Sequence, residues 1–292
     1  MTQPSLTRRG FLGTAAAGAL TSAAPAFAAS LGAPDVIIGW TPWSDAEIVT
    51  KLAARILRRQ MGSDVELTLA DIDAQFRTMA KGEIDVMLMS WEPDLHASYL
   101  RRHGESLVDL GPLYTGSIGL AVPSWVPEDL ISSIEDLGKP EVRDALEGRI
   151  VGIDPGAGLM AITRTAMQSY SLGDYTLTEG TGPKMVREIA LAERRNAPIV
   201  VTAWRPHMKF SLYGMRYLED PQGLYSAGST IHARANKDFP QKAPAIADML
   251  GKMSLETSDI EEMMVAARTD GVDAAIDAWI SANGDRIAAW TS

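Results

Sequence analysis

Between residues 36 and 89 the chain alternates short apolar runs with helix-periodic ones, and this order restricts the fold more than any other feature. Val36-Ile37-Ile38-Gly39-Trp40 reads as a buried strand. Asp45 to Gln60 follows with Ile48, Val49, Leu52, Ala53 and Ile56 on one helical face. Val65 to Leu69, a helix near Ile72 to Ala80 and a strand over Ile84 to Met89 complete a βαβαβ unit. Strands joined by helices run parallel in a sheet covered on both faces.

The pattern resumes after an irregular stretch. Gly116 to Pro123, Arg149 to Ile153, Tyr175 to Glu179 and Pro198 to Trp204 are strand-like, with helices between them such as Pro183 to Arg194. Two α/β halves are expected, each with its own sheet. From about Met215 the chain holds a strand-like Met215-Arg216-Tyr217-Leu218, a turn, and helices ending in Trp279 and Trp290.

Trp40, Trp43, Trp91 and Trp204 sit at or just beyond the carboxyl ends of predicted strands, the end at which open α/β sheets bind ligands. Several indoles facing one cleft suit a cation that cannot make hydrogen bonds, such as a quaternary ammonium, because the indole face carries negative quadrupole density. Trp125, Trp279 and Trp290 follow no strand aimed at that cleft and read as structural. The segment Ile153-Asp154-Pro155-Gly156-Ala157-Gly158-Leu159 follows a strand and opens a helix, so its backbone N–H groups either cradle a ligand carboxylate or form only a tight turn.

Thr7-Arg8-Arg9-Gly10-Phe11-Leu12 before an Ala-rich run, closed by Ala26-Phe27-Ala28, reads as a twin-arginine export signal over residues 1–29. Its apolar run is shorter than the roughly 20 residues a spanning helix needs. Losing Arg8 and Arg9 would take the net charge from −10 to about −12, which makes nucleic acid and anionic lipid poor partners and direct membrane insertion unexpected. With no cysteine, disulfides, thiolate catalysis and cysteine metal sites are excluded. His96, His103, His207 and His232 are scattered, with no acidic partner at ligand spacing. Neither a Gly-x-Ser-x-Gly elbow nor a Walker loop is present, and Asp71, Asp73, Glu83 and Asp85 read as solvated carboxylates. Neither an enzyme nor a metal or organic cofactor is expected.

The mature chain resembles the periplasmic glycine betaine, choline and proline-betaine binding proteins of ABC transporters. The resemblance rests on Trp43-Ser44-Asp45-Ala46, Gly82-Glu83-Ile84-Asp85-Val86 before Trp91-Glu92-Pro93, Gly119-Leu120-Ala121-Val122-Pro123, and Ile134-Glu135-Asp136-Leu137. It continues through Gly152 to Gly158, Thr202-Ala203-Trp204-Arg205-Pro206-His207 and Tyr217-Leu218-Glu219-Asp220-Pro221. It implies a two-lobed clamshell, each lobe a mostly parallel sheet flanked by helices, with lobe 1 over 30–117 and 213–292 and lobe 2 over 118–212. It also implies an aromatic box from Trp43, Trp91 and Trp204, Asp45 near the cation, and a carboxylate contact from His207 beside the turn at Gly156 and Ala157. Trp40 is a further candidate, because the loop from Gly39 to Asp45 can present either indole to the cleft. Ile118 and Ala157 replace the tyrosine and asparagine of choline binders, so glycine betaine leads, followed by proline betaine or a related zwitterion such as carnitine, then choline. The implied partner is an ABC permease, with a monomer as the default and a sensory module as the alternative role.

Overall fold

The computed structural model describes residues 33–225 and 228–292, so the expected export signal lies outside the described residues. Its strands, in chain order, are β1 (Val36–Trp40), β2 (Val65–Leu69), β3 (Val86–Glu92), β4 (Leu107–Val122), β5 (Arg149–Val151), β6 (Thr176–Thr178), β7 (Val201–Arg205), β8 (Arg216–Tyr217) and β9 (Ser229–Asn236). They lie in the order β2-β1-β3-β9-β4-β7-β5-β6, with β8 pairing on β4.

As expected, β1 is parallel to β2 and to β3. The helix Ser44–Gln60 carries Asp45 and Glu47 in its first turn and Arg58 and Arg59 in its last, which suits its dipole. Its apolar face buries Ile48, Val49, Leu52, Ile56 and Leu57, each worth about 1.5–3 kcal/mol when fully removed from water. The helix Ile72–Ala80 starts where the Asp71 carboxylate accepts from the Ala74 N–H at 2.8 Å.

The 16-residue strand β4 joins the two halves. Leu107 to Gly116 pairs with β9, and Ser117 to Ala121 pairs with β7, both antiparallel. Beyond β7 the sheet is parallel again through β5 and β6. At the changeover, Gly116 lies against Trp91, where a Cβ would fall 2.5 Å from the indole.

Three segments depart from the sequence-based expectation. The first part of β4 holds Gly111 and Pro112 and breaks register beside both, features that normally argue against a strand. Strand β9 alternates buried Ser229, Ile231, Ala233 and Ala235 with more exposed residues, but its buried residues are mostly small and its apolar signal is weak. Strand β8, expected in the first lobe, pairs with Ala121 and Val122 in the second half. Its neighbour Glu219 bridges Ser133 in that half too, so the chain returns to the first half nearer Ser229 than residue 213.

Candidate functional site

An apolar cavity lies where the carboxyl ends of β1, β3, β5 and β7 converge. Trp43, Trp91 and Trp204 supply three indole walls; Leu95 and His96 close one side, and Ile153, Ala157, Gly158 and Leu159 the other.

Two indoles are fixed by their N–H groups. Trp43 donates from Nε1 to Asp154 at 3.1 Å, and Trp204 donates to the Asp45 carboxylate at 2.9 Å. Each bond crosses from one half of the sheet to the other. Tyr114 of β4 donates its hydroxyl to the second Asp45 oxygen at 2.8 Å. Burial pushes the Asp45 carboxyl upward, while these donors and its own helix N-terminus pull it back. Asp45 is therefore fully buried behind Trp204, where it orients the indole and does not line the cavity.

Trp40 is half-buried at the end of β1, with the Lys51 ammonium 5.7 Å from its ring, and takes no part in the cavity wall. Of the two indoles in the Gly39–Asp45 loop, the cavity takes Trp43. Gly156 sits exposed at the rim with its carbonyl engaged by the Tyr99 hydroxyl at 2.8 Å. Ala157 does line the cavity, and with it Gly158 and Leu159 at the start of the helix Gly158–Ser169. The first N–H groups of a helix have no intrahelical acceptor, and no side chain caps this one.

His207 also lies outside the wall. Its Nδ1 accepts from the Lys209 N–H at 3.0 Å, capping the short helix Met208–Tyr213, and its ring meets Trp204 edge-on at 4.4 Å. It supports the indole from behind.

The histidine that does line the cavity is His96, which the sequence did not single out. Its Nδ1 accepts from the Trp91 N–H at 3.0 Å, so in the neutral ring the proton sits on Nε2. That N–H is buried and has no partner among the described residues. The ring stacks on Trp43 with centroids 6.1 Å apart and meets Phe76 and Tyr99 edge-on. The available signal was the spacing Trp91-Glu92-Pro93-Asp94-Leu95-His96, in which the histidine turns back onto the tryptophan's own N–H.

Burial holds His96 down at about 3, whereas an unfolded histidine titrates near 6.5. Between these values the unfolded chain binds the extra proton, so stability falls as pH drops from about 6.5 toward 3, by on the order of 3–5 kcal/mol in total. His207 is shifted the same way and Asp45 opposes. Thermal melts at pH 7, 5.5 and 4 should show this slope, and His96→Asn should flatten it; an equal slope in the variant would assign the acid sensitivity elsewhere.

Away from the cavity, Glu92, Asp109 and His232 come together although they are distant in sequence. Arg234 lies among them, bonded to both Glu92 oxygens at 2.7 and 2.6 Å, with Asp109 3.4 Å away. The guanidinium thus meets their charge. Trp125 donates to the Ala197 carbonyl, and Trp279 stacks on Trp290, which suits structural roles. Among the described residues no helix is long and apolar enough to cross a membrane.

A two-lobed α/β scaffold with an indole-walled cavity between its halves defines a small-solute-binding protein. Residues 34–282 match the family described as the substrate binding domain of ABC-type glycine betaine transport systems, and the chain belongs to that family. Among solved structures, lactococcal OpuAC in its closed-liganded conformation with glycine betaine is 27% identical, with a TM-score of 0.81 over 88% of this chain and 99% of that one. An ABC-transporter choline binding protein in complex with choline shares the fold at 22% identity, with a TM-score of 0.79 over 87% of this chain and 90% of that one. The glycine betaine/carnitine transport binding protein GbuC of Listeria monocytogenes is 32% identical over 157 residues, so the match spans about half of each chain, 52% in both cases.

Proposed function

We propose that this protein captures a quaternary ammonium carboxylate, glycine betaine first among them, and presents it to an ABC permease on the outer side of the inner membrane. The observation that carries this reading is the two-ended chemistry of one cavity. Three indoles offer a trimethylammonium group cation–π contacts, about 2 kcal/mol or more each when desolvated. Beside them the unpartnered His96 N–H and the free amides of a helix N-terminus offer donors to a carboxylate. Choline carries a neutral hydroxyl in place of the carboxylate and meets those donors more weakly, while Asp45 is already committed to Trp204 and Tyr114.

In the proposed cycle the lobes hinge where the chain crosses between halves, in β4 near Gly116 and ahead of β9. A ligand touching both lobes favours the closed form by its differential contacts. The export segment supports a periplasmic location. No catalytic step is required, and a monomer suffices for capture.

The test is calorimetric titration of the ligand-stripped mature protein with glycine betaine, proline betaine, carnitine and choline. Micromolar binding of a betaine with weaker choline is expected, and Trp91→Ala should weaken it tenfold or more, as the loss of one desolvated cation–π contact of about 2 kcal/mol implies. Choline binding more tightly than every betaine would overturn the proposed ligand. Unchanged betaine affinity in Trp91→Ala would overturn the aromatic box.

A further inference from the structure

An indole has two faces, and at Trp204 one of them is already occupied. The Lys209 amine lies 3.9 Å from the centre of the Trp204 ring. This lysine is fully buried, and its Nζ has no hydrogen-bond partner among the described residues. Trp204 lines the cavity and Lys209, although in contact with its ring, does not.

An unpaired ammonium is costly in such a place. Burial drives the Lys209 amine well below the ordinary lysine range, and Asp45 pulls the other way. The groups packed around it are few. Asp45 arrives from the helix Ser44–Gln60 and is bonded to Tyr114 of β4 and to the Trp204 N–H. His207 precedes it on its own segment and is itself held far below its usual range by burial and by Lys209. The Phe210 ring lies 5.6 Å away, with the Arg205 guanidinium 4.3 Å from that ring.

We propose that Lys209 is a specificity-determining residue of the aromatic box: packed against the Trp204 ring outside the cavity wall, it sets how much of the indole's electron density is left to a cation in the cavity, and a fixed positive charge in its place repels that cation through the ring. The inference rests on the quaternary ammonium reading above. Two cations on opposite faces compete for one quadrupole and repel each other across a medium with little water to screen them.

The experiment compares Lys209→Met and Lys209→Arg, both unbranched and long, one uncharged and one charged at every accessible pH. Each is titrated calorimetrically with glycine betaine at pH 7.5 beside wild type. The arginine variant should bind at least about tenfold more weakly than the methionine variant. Lys209→Met should bind at least as tightly as wild type. Equal affinities in the two variants would overturn the proposal, as would a methionine variant tenfold weaker than wild type, which would make Lys209 a required cation. If melting shows that the arginine variant does not fold, Lys209→Met against wild type decides alone, and a tenfold loss in the methionine variant rejects the proposal. Wild type that binds no betaine removes the quaternary ammonium reading and this inference together, whereas betaine binding with indistinguishable variants removes this inference only.

Discussion

A single methyl group on Gly158 should cost the protein its tight ligand binding while leaving its fold intact: Gly158→Ala is expected to weaken glycine betaine binding at least about a hundredfold, equivalent to roughly 2.7 kcal/mol. An added Cβ would fall 2.0 Å from the Leu95 carbonyl oxygen, 2.6 Å from its carbon and 2.7 Å from its Cα. All three are main-chain atoms, so no side-chain rotation relieves the overlap. Leu95 follows β3 in the first half of the sheet and Gly158 follows β5 in the second, so the clash is relieved by moving the halves apart. Trp43 and Trp91 then separate from Trp204, and no cation can touch all three. Gly158 opens its helix and has no left-handed φ, so its backbone takes alanine without conformational strain. The melting temperature of the ligand-free variant should therefore stay level or rise. Lost binding with undiminished stability would mark a closure defect; normal binding would mean that these two backbones need not meet when ligand is held.

The contrast between Gly158 and Gly156 illustrates what could be read from the chain and what could not. The segment from Ile153 to Leu159 is legible as a turn opening a helix, and the helix does begin at Gly158. Which amides face the ligand space depends on the handedness of the turn and on the approach of Leu95, a contact 63 residues distant in sequence. Similarly, Val36-Ile37-Ile38 and Val86-Met87-Leu88-Met89 announce buried parallel strands by composition alone, and those strands carry Trp43 and Trp91 to the cavity mouth. Strand β9 offers no such signal, because a strand flanked on both sides by β3 and β4 can be built from Ala and Ser once its neighbours supply the bulk.

The roles of the polar residues were the least legible. Asp45 and His207 both sit in motifs that mark the site, yet each supports Trp204 from behind: Asp45 holds its N–H, and His207 packs on its ring while capping the helix that delivers Lys209. A motif records that residues share a neighbourhood. Whether a side chain faces the ligand or the wall behind it depends on which hydrogen bonds the fold has already used.

His96 is expected to separate betaine from choline. His96→Asn is the informative change, because the asparagine oxygen can take the place of Nδ1 and keep the Trp91 N–H satisfied, while the donor at Nε2 disappears. Glycine betaine affinity should fall about 10- to 100-fold, the range implied by losing one charge-assisted hydrogen bond of about 1.5–3 kcal/mol. Choline affinity should change by less than about threefold, since choline lacks the carboxylate whose charge strengthens that bond. With the ring neutral down to about 3, the donor is present unchanged from pH 5 to pH 8, and the betaine-over-choline preference contributed by His96 should be constant across that range. An equal loss for both ligands would instead assign His96 the part of a packing residue against Trp43, and no loss for either would place the carboxylate on the helix amides alone. The first outcome is the one the geometry favours, because a buried N–H left without a partner in the wall of a cavity is a cost to the free protein that a carboxylate removes on binding.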